Sequence, residues 1–406
     1  MRNALFSLIT GALLTALFCV PCFPAEDEES LTGCLAEGNT EFALKLYGEL
    51  RSGEENIFFS PFSVSSAMAM AYSGARQNTA KEMKEALCFH LNQKQLPLTF
   101  KLLNGHLSDN AARGGQKLSI ANGLCLTGGD LSLDFKALLR ENFDAEIFKG
   151  DTDTINSWVN RKTEGKIPKI LESLDSNSVC VLLNAIYFKG TWEEMFKPGD
   201  TRDDTFFASS DKQLTARMMY RKGRIKLLRE KGFQAASLPY KGDRLSMVIL
   251  LPEEIEGLAG LEKHLTSQNI QNWLTGLDRS PAVETRIFVP RFRLETAYDL
   301  ASPFKSLGIK DAFDKSGCAD FTGTGWKKGE LWIAQVKHKA FVEVNEEGTE
   351  AAAATAVEMA TKSIPNYPVF RADHPFFFLI RDNITGTILF LGRVTDPGRP
   401  QKGTSK

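Results

Sequence analysis

Apolar positions recur every three to four residues through the first part of the chain. Phe42, Leu46 and Leu50 fall on one helical face. Ser60-Pro61 predicts a helix start, with a capping hydroxyl followed by a proline where no N–H donor is needed. Thr79-Ala80-Lys81-Glu82 has the form of a capping box ahead of Met83 and Leu87. Ile155 to Lys162 predicts another helix, stopped by Gly165 and Pro168. From Val179 onward the pattern changes to strands. Val179 to Phe188 is almost wholly apolar, as a strand covered on both faces would be. Leu245 to Leu251 is similar and stops at Pro252. Ile287 to Leu294 reads as an edge or bulged strand because Pro290 interrupts it. Phe376 to Ile380 and Thr387 to Leu391 flank Asp382 to Gly386 as a hairpin. Helices first, strands later and no βαβ rhythm predict an α+β fold with large antiparallel or mixed sheets. No repeat or linker divides residues 37–397, so one domain is expected there.

Residues 346–362 break both patterns. They read Glu-Glu-Gly-Thr-Glu-Ala-Ala-Ala-Ala-Thr-Ala-Val-Glu-Met-Ala-Thr-Lys, which at first sight is an exposed helix. At period two, Thr349, Ala351, Ala353, Thr355, Val357 and Met359 form one face, small and uncharged throughout. Glu350, Ala352, Ala354, Ala356, Glu358 and Ala360 form the other, so both interior charges share one side. A strand of this pattern can enter a sheet without burying a charge. Gly348 supplies a hinge with few backbone restrictions.

Composition narrows the function. The 406 residues are 43% apolar and 24% charged, with 49 basic against 50 acidic side chains. That balance argues against disorder, a coiled coil, or attachment to nucleic acid by bulk charge. Twenty-eight Phe residues allow a large core. The one long apolar stretch, Ala4 to Val20, follows Arg2 and is broken by Pro21. With the small residue Ala25 it reads as a secretory signal peptide over residues 1–25, although Phe23 leaves the cleavage point open. The expected destination is extracellular, or periplasmic in a bacterium. An uncleaved anchor is the competing reading, and the run is at the short limit for a membrane span. Removing that segment leaves Cys34, Cys88, Cys125, Cys180 and Cys318, an odd and scattered set that forms neither a disulfide framework nor a zinc site.

Catalytic signatures are missing. There is no H-E-x-x-H, G-x-S-x-G or G-x-x-x-x-G-K-[ST], and the five His residues lack metal-ligand spacing. Arg221, Lys222, Arg224, Lys226, Arg229 and Lys231 form a basic stretch that reads first as a solvated strand face and only second as a polyanion site. Asn383-Ile384-Thr385 is a glycosylation sequon. No enzyme activity, cofactor or metal is expected.

Four ordered motifs carry a family resemblance. Asn56 to Ser63 (NIFFSPFS), Leu183 to Trp192 (LNAIYFKGTW), the hinge-like Glu346 to Ala356, and Asp373-His374-Pro375-Phe376 together resemble the serpins over residues 37–397. The resemblance implies a single domain with three β-sheets, about nine helices and an exposed reactive-centre loop. It also implies a suicide mechanism against serine proteases, in which the target's own serine forms an acyl-enzyme with the loop. The cut loop then inserts into the main sheet as an added strand.

Several residue roles follow from the resemblance alone. Glu346, Glu347, Gly348, Thr349, Glu350, Ala351, Ala352, Ala353 and Ala354 match the hinge of inhibitory members. Counting the family's loop length from Gly348 places the scissile bond at Lys362-Ser363. A Lys there implies a trypsin-like target held in a covalent 1:1 complex. A shorter loop would expose Met359 or Ala360 to chymotrypsin- or elastase-like enzymes instead. Ser60, Ser63, Asn184 and His338 match a hydrogen-bonded gate, so His338 is expected to be structural. Trp192 matches the point where the loop first enters, although ordinary core packing accounts for it equally well. A non-inhibitory carrier or chaperone is the alternative within the family, and an unrecognised hydrolase the alternative outside it. The chain is expected to be monomeric, without nucleic-acid partners or a membrane span once the signal is removed. The signal-like segment departs from the family's intracellular branch, and residues 398–406 extend past the usual end as a disordered tail.

Overall fold

A computed structural model describes residues 25–51, 53–174, 180–349 and 367–398. Among them are nine α-helices: α1 (Ala25–Leu50), α2 (Pro61–Gly74), α3 (Gln77–Ala86), α4 (Gln95–Arg113), α5 (Leu133–Phe143), α6 (Thr152–Lys162), α7 (Leu258–Glu262), α8 (Ser267–Arg279) and α9 (Ala301–Ser306). The strands are β1 (Ile57–Phe59), β2 (Lys117–Leu126), β3 (Glu146–Lys149), β4 (Cys180–Thr191), β5 (Arg202–Ser209), β6 (Lys212–Glu230), β7 (Phe233–Pro239) and β8 (Leu245–Pro252). They continue with β9 (Ala282–Pro290), β10 (Phe292–Asp299), β11 (Ile333–Val344), β12 (Gly348–Thr349), β13 (Val369–Arg371), β14 (Phe376–Asp382) and β15 (Ile388–Val394).

Helix α2 is the central post. Ser60 caps it by accepting from the Ser63 N–H, and Pro61 opens it, as the sequence predicts. Every residue from Pro61 to Gly74 is buried, so its small and apolar side chains touch protein all round. Helix α1 reaches back to Ala25, well before the stretch expected to open the domain. The capping box expected at Thr79 does not form. Helix α3 begins at Gln77 with Arg76 at its cap, and the buried Thr79 hydroxyl accepts from the Asp320 N–H instead.

One sheet has the order β10-β11-β12-β4-β2-β3, with β11 and β4 also paired directly in parallel from Ile333/Cys180 to Phe341/Tyr187. The other strands run β1-β15-β14-β8-β7-β6-β9-β13, with β5 on β6. The 19-residue β6 pairs with β9 along its middle and with β7 at its end, which joins two expected sheets into one continuous ladder. Pro290 marks a crossing between sheets where the sequence suggested a bulge in one strand. β9 ends there, flanked by β6 and β13, and Phe292 starts β10 beside β11. The expected hairpin is β14 and β15, whose turn is held by Asp382 Oδ1 accepting from the Thr385 N–H at 2.6 Å.

Strand β4 is buried on both faces from Cys180 to Phe188. Leu182, Ile186 and Phe188 face the main core. Val181, Leu183, Ala185 and Tyr187 face a second cluster roofed by Ile155, Trp158 and Val159 of α6. Within the basic stretch, four side chains have partners of their own. Lys222 pairs with Glu284 at 2.8 Å, Arg224 and Lys226 donate to backbone carbonyls, and Arg221 is buried beside Glu194 at 2.6 Å. Cys34, Cys88, Cys125, Cys180 and Cys318 are free thiols. Among the described residues, no helix is long and apolar enough to cross a membrane.

Candidate functional site: a strand seam wedged open at one end

The seam between β4 and β11 is closed along most of its length and wedged open at one end. Gly348 and Thr349 form the two-residue strand β12 in that wedge. Gly348 lies opposite Thr191 and Thr349 opposite Gly190 on β4, while Thr349 also lies opposite Val344 on β11. Both neighbours run antiparallel to β12.

Tight sterics fix this arrangement. A Cβ on Gly348 would sit 1.9 Å from the Gly190 carbonyl oxygen and 2.7 Å from Thr191 Cα. Glycine is therefore required by close approach, a stronger reason than the flexibility the sequence suggested. The reversal from β11 into β12 is an Asn turn, in which Asn345 Oδ1 accepts from the Glu347 N–H at 3.1 Å. Thr349 is fully buried, and its Oγ1 lies 2.8 Å from the hydroxyl of the equally buried Tyr240. Burial pushes the Tyr240 phenol well up, so the group stays neutral.

Trp192 shapes the mouth of the wedge. Its ring stacks on Tyr240 at 4.6 Å, its Nε1–H donates to the Asn345 carbonyl at 3.0 Å, and its backbone N–H donates to the Glu347 carbonyl at 2.8 Å. These contacts are those of a core residue packed beside the wedge. Glu346 is buried and held by Arg291, whose Nε donates at 2.7 Å, and by the Thr201 hydroxyl. Burial raises the Glu346 carboxyl, but these donors outweigh it and hold the group below its ordinary value. Burial, reinforced by the neighbouring Glu346 charge, lifts Glu347 above its own.

Further along the seam lies a buried polar network. Asn184 of β4 donates from Nδ2 to the Ser63 carbonyl at 3.0 Å, to Ser63 Oγ at 2.5 Å and to Asn122 Oδ1 at 3.0 Å. Its Oδ1 meets His338 Nδ1 of β11 at 2.7 Å. His338 Nε2 accepts from the Ser60 N–H at 3.1 Å, so the ring is neutral and carries its proton on Nδ1. Full burial pushes its pKa down to about 3, which removes it as a base near neutral pH. Ser60 Oγ donates to the Leu389 carbonyl at 2.6 Å. One cluster therefore ties α2, β2, β4, β11 and β15 together across the seam.

The structure brings Ser60, Ser63, Asn184 and His338 into this network, and Trp192 with Glu346 to Thr349 into the wedge. Glu350, Ala351 to Ala354, Met359, Ala360, Lys362 and Ser363 lie outside the described residues, as do the signal-like residues before Ala25 and those after Gly398. Sequence reasoning passed over Tyr240, Arg291, Thr201 and Asn122. Only Asn122 carried a readable signal, an amide inside an apolar strand like Asn184. On the far side of the loop, Tyr367 packs its ring 4.0 Å from Lys222 Nζ. β13 then pairs with β9, and Arg371 is held by Asp204 and by Asp373 at 2.8 Å.

Known proteins agree with this architecture. The family profile described as serpin (serine protease inhibitor) matches residues 37–397. The chain is 41% identical over 385 residues to a leukocyte elastase inhibitor of Sus scrofa, covering 89% of this chain and 99% of that one. It is 40% identical over 382 residues to serpin B8 of Homo sapiens, again covering 89% and 99%. Among solved structures, human thyroxine-binding globulin with its ligand superposes with a TM-score of 0.82 at 27% identity, covering 91% of this chain and 100% of that one. The thermophilic serpin tengpin in its native state gives 0.80 at 28%, covering 92% and 95%. With the seam, the seated hinge and this likeness over nearly the whole fold, the chain belongs to the serpin family.

Proposed function

We propose that this serpin is an inhibitor that works as a suicide substrate. A serine protease attacks the loop between Thr349 and Tyr367, its own serine forms an acyl-enzyme, and the freed strand zips into the β4–β11 seam before deacylation. The protein is consumed by the reaction and catalyses nothing. One observation carries this reading: Gly348 and Thr349 already pair with β4 and Thr349 also with β11, in antiparallel register and with Thr349 facing the core. A carrier role, as in the thyroxine-binding relative, would not need an uncharged inward face from Thr349 to Met359.

Two readings of target class each have an observation behind them. The relatives named as leukocyte elastase inhibitors support an elastase-like target and a cut near Met359 or Ala360. Counting from Gly348 and the positive charge of Lys362 supports a trypsin-like target and a cut at Lys362-Ser363. Export of the mature chain after loss of residues 1–25 completes the proposal, resting on the sequence of that segment alone.

The test is to mix the purified protein with trypsin, elastase and chymotrypsin separately and run denaturing gels. A covalent complex with any of them supports inhibition. Loss of the trypsin complex in Lys362→Glu assigns the bond to Lys362, and an elastase complex that survives this change assigns it upstream. Clean cleavage by all three without complex would sink the inhibitory reading. The N-terminal sequence of protein secreted by an expressing cell tests export.

A further inference from the structure

Strands β6, β9 and β13 turn one face to the core and one outward, beside the leg on which the loop returns. Met219, Arg221, Ile287, Val289 and Phe370 are buried on the inner side. Cross-strand partners share a face, so Tyr220 with Phe288, Lys222 with Arg286 and Arg224 with Glu284 all lie outward. Val369 opposite Arg286 and Arg371 opposite Phe288 extend the same face. Rings and cations interlock there. Tyr220 packs on Phe288 at 4.8 Å, and the guanidinium carbons of Arg371 and Arg286 lie 4.7 and 5.7 Å from the Phe288 ring centre. Val369 is 40% exposed among them.

The cations on this face divide into paired and unpaired. Lys222 pairs with Glu284 at 2.8 Å, and Arg371 with Asp204 and, at 2.8 Å, with Asp373. Arg224 and Arg286 are exposed, and among the described residues neither meets a carboxylate; Arg224 Nη2 donates to the Ala282 carbonyl at 3.1 Å. Two unpaired cations interleaved with neutralised ones are too few to track a polyanion, whose binding rests on many phosphate- or sulfate-type contacts at once. Arginine, tyrosine and phenylalanine grouped around a half-buried ring are instead the composition of a protein–protein contact.

The returning leg of the loop belongs to this face, since the Pro368 carbonyl accepts from the Arg286 N–H at 2.8 Å and Tyr367 packs on Lys222. Lys362 precedes Tyr367 by five residues and Met359 by eight, so either candidate bond lies within about 18–29 Å of the face, whatever the path between. A protease domain of ~220 residues has a radius of gyration of about 17 Å, so an enzyme gripping either bond is wide enough to cover the face. We infer that the outward face of β6, β9 and β13 is a docking surface for the target protease, with Arg224 and Arg286 meeting an acidic patch beside that enzyme's active-site cleft. The inference rests on the proposed attack of a protease on the loop and holds for either bond. It adds to the loop sequence a second determinant of which protease is engaged, one that acts on the rate of encounter.

The test uses two trypsins that share a specificity pocket and differ in surface charge, one anionic and one cationic. It follows the second-order rate at which the intact loop disappears into covalent complex and cleaved product together. The anionic enzyme should attack wild type faster. Arg224→Glu combined with Arg286→Glu should slow it roughly 5–10-fold at low salt, leave the cationic enzyme's rate equal or higher, and have little effect at about 0.5 M salt. Lys327→Glu combined with Lys328→Glu makes the same change in net charge just before β11, at the opposite end of that strand from the wedge. That pair should slow the anionic enzyme by less than about twofold. Equal slowing of both trypsins, or equal slowing by the Lys327 and Lys328 changes, would overturn the inference. Unchanged protease rates with lost retention on a heparin column would also overturn it and make the face a polyanion site. A charge-dependent rate without any covalent complex would overturn the inhibitory reading and leave the docking surface standing. Attack on the loop by neither trypsin would overturn both.

Discussion

Replacing Asn184 by alanine is the most direct probe of the buried network in the seam. The change removes the amide's two N–H donors, shared among the Ser63 carbonyl, Ser63 Oγ and Asn122 Oδ1, and the acceptor for His338 Nδ1–H, all in a fully buried cluster. Ser63 Oγ can rotate toward another acceptor. His338 Nδ1–H and Asn122 Oδ1 have no alternative partner in the network, and each orphaned buried group costs about 1–3 kcal/mol. The small cavity left by the amide adds to this. The expected loss is about 3–5 kcal/mol, read from the first transition in guanidinium with tryptophan fluorescence. Because the network spans β4 and β11, the variant should also convert faster on mild heating to a form that no longer inhibits. A loss below about 1 kcal/mol, or an unchanged conversion rate, would refute the view that this cluster holds the seam shut.

The remaining predictions concern the same seam and its two anchors. His338 is neutral in the fold and its pKa is depressed to about 3, so the unfolded chain binds the extra proton first. Its contribution is fully present above about pH 6.5 and is lost as pH falls toward 3, by about 2 kcal/mol at pH 5. His338→Gln should flatten that part of the stability profile relative to wild type, and an unchanged slope would contradict the assignment. Gly348→Ala places a methyl against the Gly190 carbonyl and should unseat β12, orphaning the Tyr240 hydroxyl at a cost of about 1–3 kcal/mol. More inhibitor should then be consumed per protease trapped, as measured by active-site titration. Arg371→Ala removes the pairs with Asp204 and Asp373 and should speed spontaneous loss of activity at constant protease affinity. Burial lifts the Cys180 thiol to about 12, so alkylation mapped by mass should label exposed Cys318 in the folded protein and Cys180 only after unfolding.

Much of this fold was legible because its strongest signals are local. The apolar run of β4, the Ser60-Pro61 start of α2 and the β14–β15 hairpin each depend on neighbours in sequence. Asn184 stood out because an amide inside such a run must find a partner. The failures share one cause, a partner far away in sequence. Thr79 looked like a helix cap, but its hydroxyl is used by Asp320, separated by 241 residues. Pro290 looked like a bulge, but the chain changes sheet there, and Arg291 N–H bonds to the Arg217 carbonyl while its side chain holds Glu346. Gly348 looked like a flexible joint, and only the approach of Gly190 reveals a steric requirement. Tyr240 gave no sign at all, since a buried tyrosine becomes part of the site only when Thr349 is laid across it.

These contacts together explain how a cut can release a stored preference. Closing the seam pairs β4 with β11 in parallel, whereas an inserted strand would be antiparallel to both, with two ladders of the more favourable kind. The fold already tolerates the first two residues of that strand. At the other end of the loop the chain is anchored, since Tyr367 sits on Lys222, β13 pairs with β9, and Arg371 is clamped by two aspartates. An intact loop held at both ends can advance no further without pulling β13 off its partner. On the proposed mechanism, cleavage would remove that opposition in one step and leave Gly348 and Thr349 in register, with the polar network as the barrier to be crossed. The native state would then be kinetically held, the same seam serving on that mechanism as lock before the cut and as destination after it.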